Sequence, residues 1–182
     1  MKRVISVNIL AALIVASASL LQAAPKLTDQ SAAHARVILE RIGALSVSME
    51  RNADELAIDA RDPAYTGSET QLGGLNHLRD DVNAIGRDLR LLEAGEGSLA
   101  DWERQTFDEI LPLMQEIAVN TQKEIQTWDS ERVHLWTTAF RDESVKVDAD
   151  AERVKEIVEA HLKLANMHEQ EDRIQAKAGN NQ

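Results

Sequence analysis

The sequence predicts an all-α protein, an antiparallel up-down four-helix bundle with long heptad-patterned helices. Apolar residues recur at alternating spacings of three and four in four separate stretches, the signature of amphipathic helices. Helix breakers are scarce, with three prolines and eight glycines in 182 residues. Ala, Leu, Ile, Val, Glu and Arg dominate while aromatics make up only 3% of the chain, a composition that favours helices over strands. No strand-like alternation competes with these periods.

The first helix is expected over about 29–60, where Ala35, Ile38, Ile42, Leu45, Met49, Asn52 and Leu56 form one stripe. Thr28 and Asp29 supply its N-cap, and Asp62-Pro63 with Gly67 stop it. Asn52 is then a polar residue inside a seam, the usual device for fixing register or selecting a partner helix. Ser68 and Gln71 have capping-box spacing and open a second helix over about 69–94. Its stripe is Leu75, Leu78, Val82, Ile85, Leu89 and Leu92, ended by Gly95 and Gly97.

Ser98 and Asp101 begin a third helix, about 99–128, in the same manner. Its two adjacent stripes are Trp102, Thr106, Ile110, Leu113 and Ile117, and Phe107, Leu111, Met114, Ala118, Ile125 and Trp128. So broad a face implies contact with two neighbours, and Pro112 within it predicts a kink, because it cannot donate to the carbonyl of Asp108. The fourth helix, about 142–177, carries Val147, Ala151, Val154, Val158, His161, Ala165 and His168, widened by Ile157 and Leu164. Together these make one helical-bundle domain over 24–178, with a tail at 179–182.

The amino terminus reads as a signal peptide over 1–23. Lys2 and Arg3 precede an apolar run from Val4 to Leu21, and Leu21-Gln22-Ala23 suits cleavage after Ala23. The run is a little short for a membrane helix, which wants about 20 apolar residues, and it contains Asn8 and serines. An exported protein of the periplasm or the extracellular space is the expectation, without stable membrane insertion after cleavage. There is no cysteine, so disulfides, thiolate catalysis and Cys-based zinc sites are excluded. The net charge is −11, and loss of Lys2 and Arg3 makes it more negative still, which disfavours nucleic acid as a partner.

The segment "TWDSERVHLWTTAFRDE" between helices three and four holds Trp128, Trp136 and Phe140, half of the aromatic side chains. The expected role is an aromatic plug over the end of the core, and an exposed Trp136 or Phe140 would instead mark a partner-contact site. The stretch "HLWTTAFRDE" resembles a Leu-Trp, Tyr/Phe-Arg pattern of uncharacterised exported helical proteins of acidobacterial type. That resemblance implies an exported helical fold; it brings no activity and no catalytic residues.

Catalytic chemistry is poorly represented. A di-metal bundle needs two Glu-x-x-His motifs, and only Glu131-Arg-Val-His134 matches. No Gly-x-Ser-x-Gly elbow, phosphate loop or dinucleotide fingerprint occurs, and the carboxylates are expected on polar helix faces, without the burial that paired acid–base work requires. His161 and His168 stand about 10.5 Å apart along a straight helix, too far to share one ion. Each could ligate separately with a carboxylate or His34, and Met49 with His161 could in principle bind haem; a histidine on an apolar face is by default a core or boundary residue. The leading expectation is thus a non-enzymatic exported bundle, free of cofactor, acting through protein partners or self-association. The alternative is a periplasmic metal- or haem-binding bundle using His161 and His168.

Overall fold

The computed structural model describes residues 29–61, 68–130 and 138–179. The signal peptide and its cleavage site, Thr28, the Asp62-Pro63 stop, the Glu131–His134 motif and Trp136 lie outside the described residues. Among the described residues there are four α-helices and no strand: α1 (Asp29–Arg61), α2 (Ser68–Ala94), α3 (Asp101–Ser130) and α4 (Thr138–Gly179), with a single 3-10 turn at Glu96–Ser98 between α2 and α3. No helix among them is long and apolar enough to cross a membrane.

The helices pack as a bundle. α1 packs extensively on both α2 and α4, and α3 on both α4 and α2, whereas α1 and α3 barely meet, as diagonal members do. The second-helix stripe, Leu75, Leu78, Val82, Ile85, Leu89 and Leu92, is buried throughout, and Ile38, Ile42, Met49 and Leu56 meet it from α1. α3 adds Phe107, Ile110, Met114, Ile117 and Ile125, and α4 adds Val147, Ala151, Val154 and Val158, to one continuous core. Burial of each large aliphatic side chain stabilises by about 1.5–3 kcal/mol relative to leaving it in water. This apolar area, rather than helix propensity alone, holds such long helices together.

Small residues set the spacing. A Cβ on Gly43 would lie 3.2 Å from Leu162 Cδ1 and 3.3 Å from Val158 Cγ1, so α1 and α4 approach closely there. α3 runs unbroken through Pro112. Both Pro112 and Asp108 are exposed, so the carbonyl deprived of its helical donor sits on the solvent side, where water can serve it.

Three sequence expectations are corrected. Ser98 does not cap α3: it ends the 3-10 turn, where its hydroxyl donates to the Gly95 carbonyl. The residue before α3 is Ala100, whose N–H donates to the buried Glu103 carboxylate at 2.8 Å, half of a capping box shifted along the chain. Second, α4 begins at Thr138 rather than near 142, which draws Phe140 out of the connecting segment and into a helix. Third, the buried face of α4 takes in neither Leu164 nor His168, both of which are exposed, and Ala165 is its last buried residue.

Candidate functional site

The packing creates polar pairs between helices before it creates any site. Asn52 Nδ2 donates to Asp81 Oδ2 at 2.7 Å, and Ser48 Oγ donates to the same oxygen at 2.9 Å. Asn52 thus pairs α1 with a carboxylate of α2. One heptad along α2, Asp88 is buried and Arg41 grips it in a two-point contact, Nε to Oδ2 at 2.6 Å and Nη2 to Oδ1. Neither aspartate belongs to the apolar stripe of α2. Their spacing of seven is the signal that could have found them.

A second group of polar side chains sits inside α3. Asn120, Thr121 and Glu124 are all buried, and Asn120 Nδ2, Thr121 Oγ1 and both carboxylate oxygens of Glu124 have no hydrogen-bond partner. Burial pushes the Glu124 carboxyl up to about 7; the facing Ser144 hydroxyl opposes this, and the Glu143 carboxylate adds to it. In the observed rotamer Ser144 Oγ donates to the Phe140 carbonyl at 3.0 Å, so its proton is already committed. The expectation that carboxylates keep to polar faces fails here. Extending the stripe Ile110, Ile117 by seven residues reaches Glu124, which is how a sequence reading could have anticipated its burial.

A groove of about 250 Å³ opens between α1 and α2, lined by Asn52, Glu55, Asp59, Gly73, Gly74 and His77 among others. Its lining mixes carboxylates with one exposed histidine, but among the described residues no group of three or more His, Asp or Glu side chains could hold a metal ion.

The far end of α4 is the largest departure from the expected packing. Beyond Ala165, Glu169 alone is half-buried, and every residue from Gln170 to Ala178 is exposed. Arg36 of α1 marks the limit, bonding Asn166 and pairing with Glu169. Toward this end of α4, Leu164 is 53% exposed, Met167 47% and Ile174 67%. Spacings of three and seven put these three on one side of a helix.

The histidines separate. The His161 side chain is 13% exposed and its Nε2 lies 3.4 Å from Glu109 Oε2, so it is a boundary residue linking α4 to α3. His168 and His34 are exposed. A seam position for His168 is overturned, because its side chain is exposed. Phe140 is 1% exposed and Trp128 7%, so both are core side chains and neither presents an open contact surface. The plug expectation fits them better than recognition does. Compared with protein-family models, with curated proteins and with solved structures, the chain matches none.

Proposed function

We propose that this chain is an exported, non-enzymatic bundle, antiparallel and up-down with helices mated along heptad seams, which acts through protein–protein contacts made by the last third of α4. The contact role rests on one observation: Leu164, Met167 and Ile174 lie exposed on one side of α4, near its end. Large apolar side chains gathered on one side of a helix mark an interaction surface more often than singly scattered ones do. Export rests on the three-part layout of the leader.

Cross-helix pairs support the antiparallel reading. Arg41 meets Asp88 while Asn52 meets Asp81, and Arg36 meets Glu169 while Glu50 meets Lys155, so rising numbers on α1 meet falling numbers on α2 and α4. The buried run Leu75 to Leu92, with its spacings of three and four, supports the heptads.

The test is a triple substitution, L164Q/M167Q/I174Q, compared with wild type by sedimentation in extract from the exporting host. The variant is expected to keep its helicity and its melting temperature within about 5 °C, since exposed substitutions change stability by at most about 0.5 kcal/mol each. It is expected to sediment as the free chain where wild type sediments as a larger assembly. Identical sedimentation of the two would reject the contact role of α4.

A further inference from the structure

We propose that Glu124 is a proton-controlled latch: neutral, it lets the C-terminal half of α3 and the first turns of α4 close over it; ionised, it loosens that end of the bundle and uncovers Trp128 and Phe140. The inference is independent of the contact role given to the far end of α4.

The geometry carries it. Glu124 is 1% exposed, and neither carboxylate oxygen has a hydrogen-bond partner. An ionised carboxylate is acceptor-only and demands donors, whereas a protonated one is far less costly to bury. In the closed form that demand is met only in part. From α4, the Ser144 hydroxyl eases the charge but also donates to the Phe140 carbonyl, and Glu143 contributes repulsion; on α3, Asn120 Nδ2 and Thr121 Oγ1 lie within a turn but make no hydrogen bond to it. From α3 itself, Lys123 reaches Asn120 at 3.4 Å instead. From α1 and α2, Glu55, Asp59 and His77 line the outer groove between those two helices. Among the charged side chains, Glu143 is the one that chiefly acts on Glu124, and it opposes ionisation.

The surroundings turn a titration into a movement. Trp128 follows Glu124 by one turn on the same face of α3, and Phe140 lies one turn before Ser144 in α4; both are buried beside the latch. This is the end of α3 and the beginning of α4, and helix ends open at lower cost than helix centres. A carboxyl that titrates at about 7 when closed and at its ordinary 4.5 when open weights the open form by roughly 300-fold between the acid and alkaline limits.

The test is amide hydrogen exchange on the intact chain from pH 5 to 8.5, corrected for the intrinsic exchange rate. It follows residues 117–129 and 139–150, with 103–112 at the other end of α3 as internal reference. In wild type, protection of the first two segments is expected to fall roughly 70-fold relative to the reference as pH rises, while E124Q keeps only the smaller slope left by Asp148 and Asp150. A flat wild-type profile overturns the latch whatever the variants do. An equal fall in E124Q, or in E124M should the glutamine variant not fold, overturns it as well.

Discussion

The adjacent glycines of α2 make a paired prediction, because the same substitution should act with opposite sign at neighbouring positions. Gly→Ala in a helix interior gains about 1 kcal/mol, part of it by restricting the unfolded chain. At Gly73 nothing lies within 4 Å of the added methyl, so Gly73→Ala should realise most of that gain. At Gly74 the methyl would sit 3.0 Å from Leu56 Cδ2 and 3.3 Å from its Cγ, inside the optimum carbon–carbon separation of about 3.5–4.0 Å. Leu56 is 2% exposed and cannot swing into solvent, so α1 must shift or Leu56 must leave its rotamer. Overpacking of this kind costs about 1–3 kcal/mol, which cancels or exceeds the propensity gain. The two variants should therefore differ by about 1–3 kcal/mol. Urea unfolding followed by circular dichroism measures this, with unchanged slopes confirming that only stability moved. Pairing Gly74→Ala with Leu56→Val should recover part of the loss, as a non-additive term of about 0.5 kcal/mol or more. Equal stabilisation by both alanines would refute the close approach of α1 to α2.

Further predictions follow from the buried polar groups and the histidines. Glu124 titrates at about 7 folded against 4.5 unfolded, so its contribution is fully present below pH 4.5 and is lost as pH rises through 7. E124Q should flatten the fall in global stability between pH 4.5 and 8 by about 3 kcal/mol in urea titrations; Glu103, Asp148 and Asp150 are shifted in the same direction and leave a residual slope of the same sign. Arg41→Met should lower the urea midpoint by stripping the buried Asp88 of its cation, and a double-mutant cycle with Asp88→Asn should show that the two substitutions are not additive. His161→Ala should change stability by less than about 1 kcal/mol, since its Glu109 contact is long and the partner is exposed. Elemental analysis of the chain purified without chelator should give the same sub-stoichiometric metal for wild type and that variant; stoichiometric metal lost on His161→Ala would restore the metal-binding reading.

Periodicity made the core legible wherever a helix has a neighbour. The stripes of α1, α2 and the first two-thirds of α4 are buried nearly as their spacing implies, because apolar side chains at three and four can reach the core only from one face. The same reasoning misled at His168 and Leu164. Periodicity states which side of a helix is apolar, but not whether a neighbour covers each position on it: Leu164 is 53% exposed beside the buried Ala165, and His168 is exposed one turn on. Glu124 was missed for the converse reason: a carboxylate in a seam position reads as an interruption of the stripe, although the backbone directs it inward all the same. Capping chemistry was legible in kind and misplaced by two residues, since the box closes from Ala100 to Glu103 while Ser98 bonds back to Gly95 within the 3-10 turn.

The measurement that bears most directly on the proposed role is site-specific photocrosslinking in the exporting host, with the photoreactive residue at Met167 and, as control, at Val119. Both positions are well exposed, at 47% and 55%, but Val119 lies on α3 away from the bare end of α4. The account predicts a discrete adduct from position 167 and none from 119, its mass distinguishing a second copy of the chain from another protein. Equal adducts at both positions, or none at 167, would contradict it.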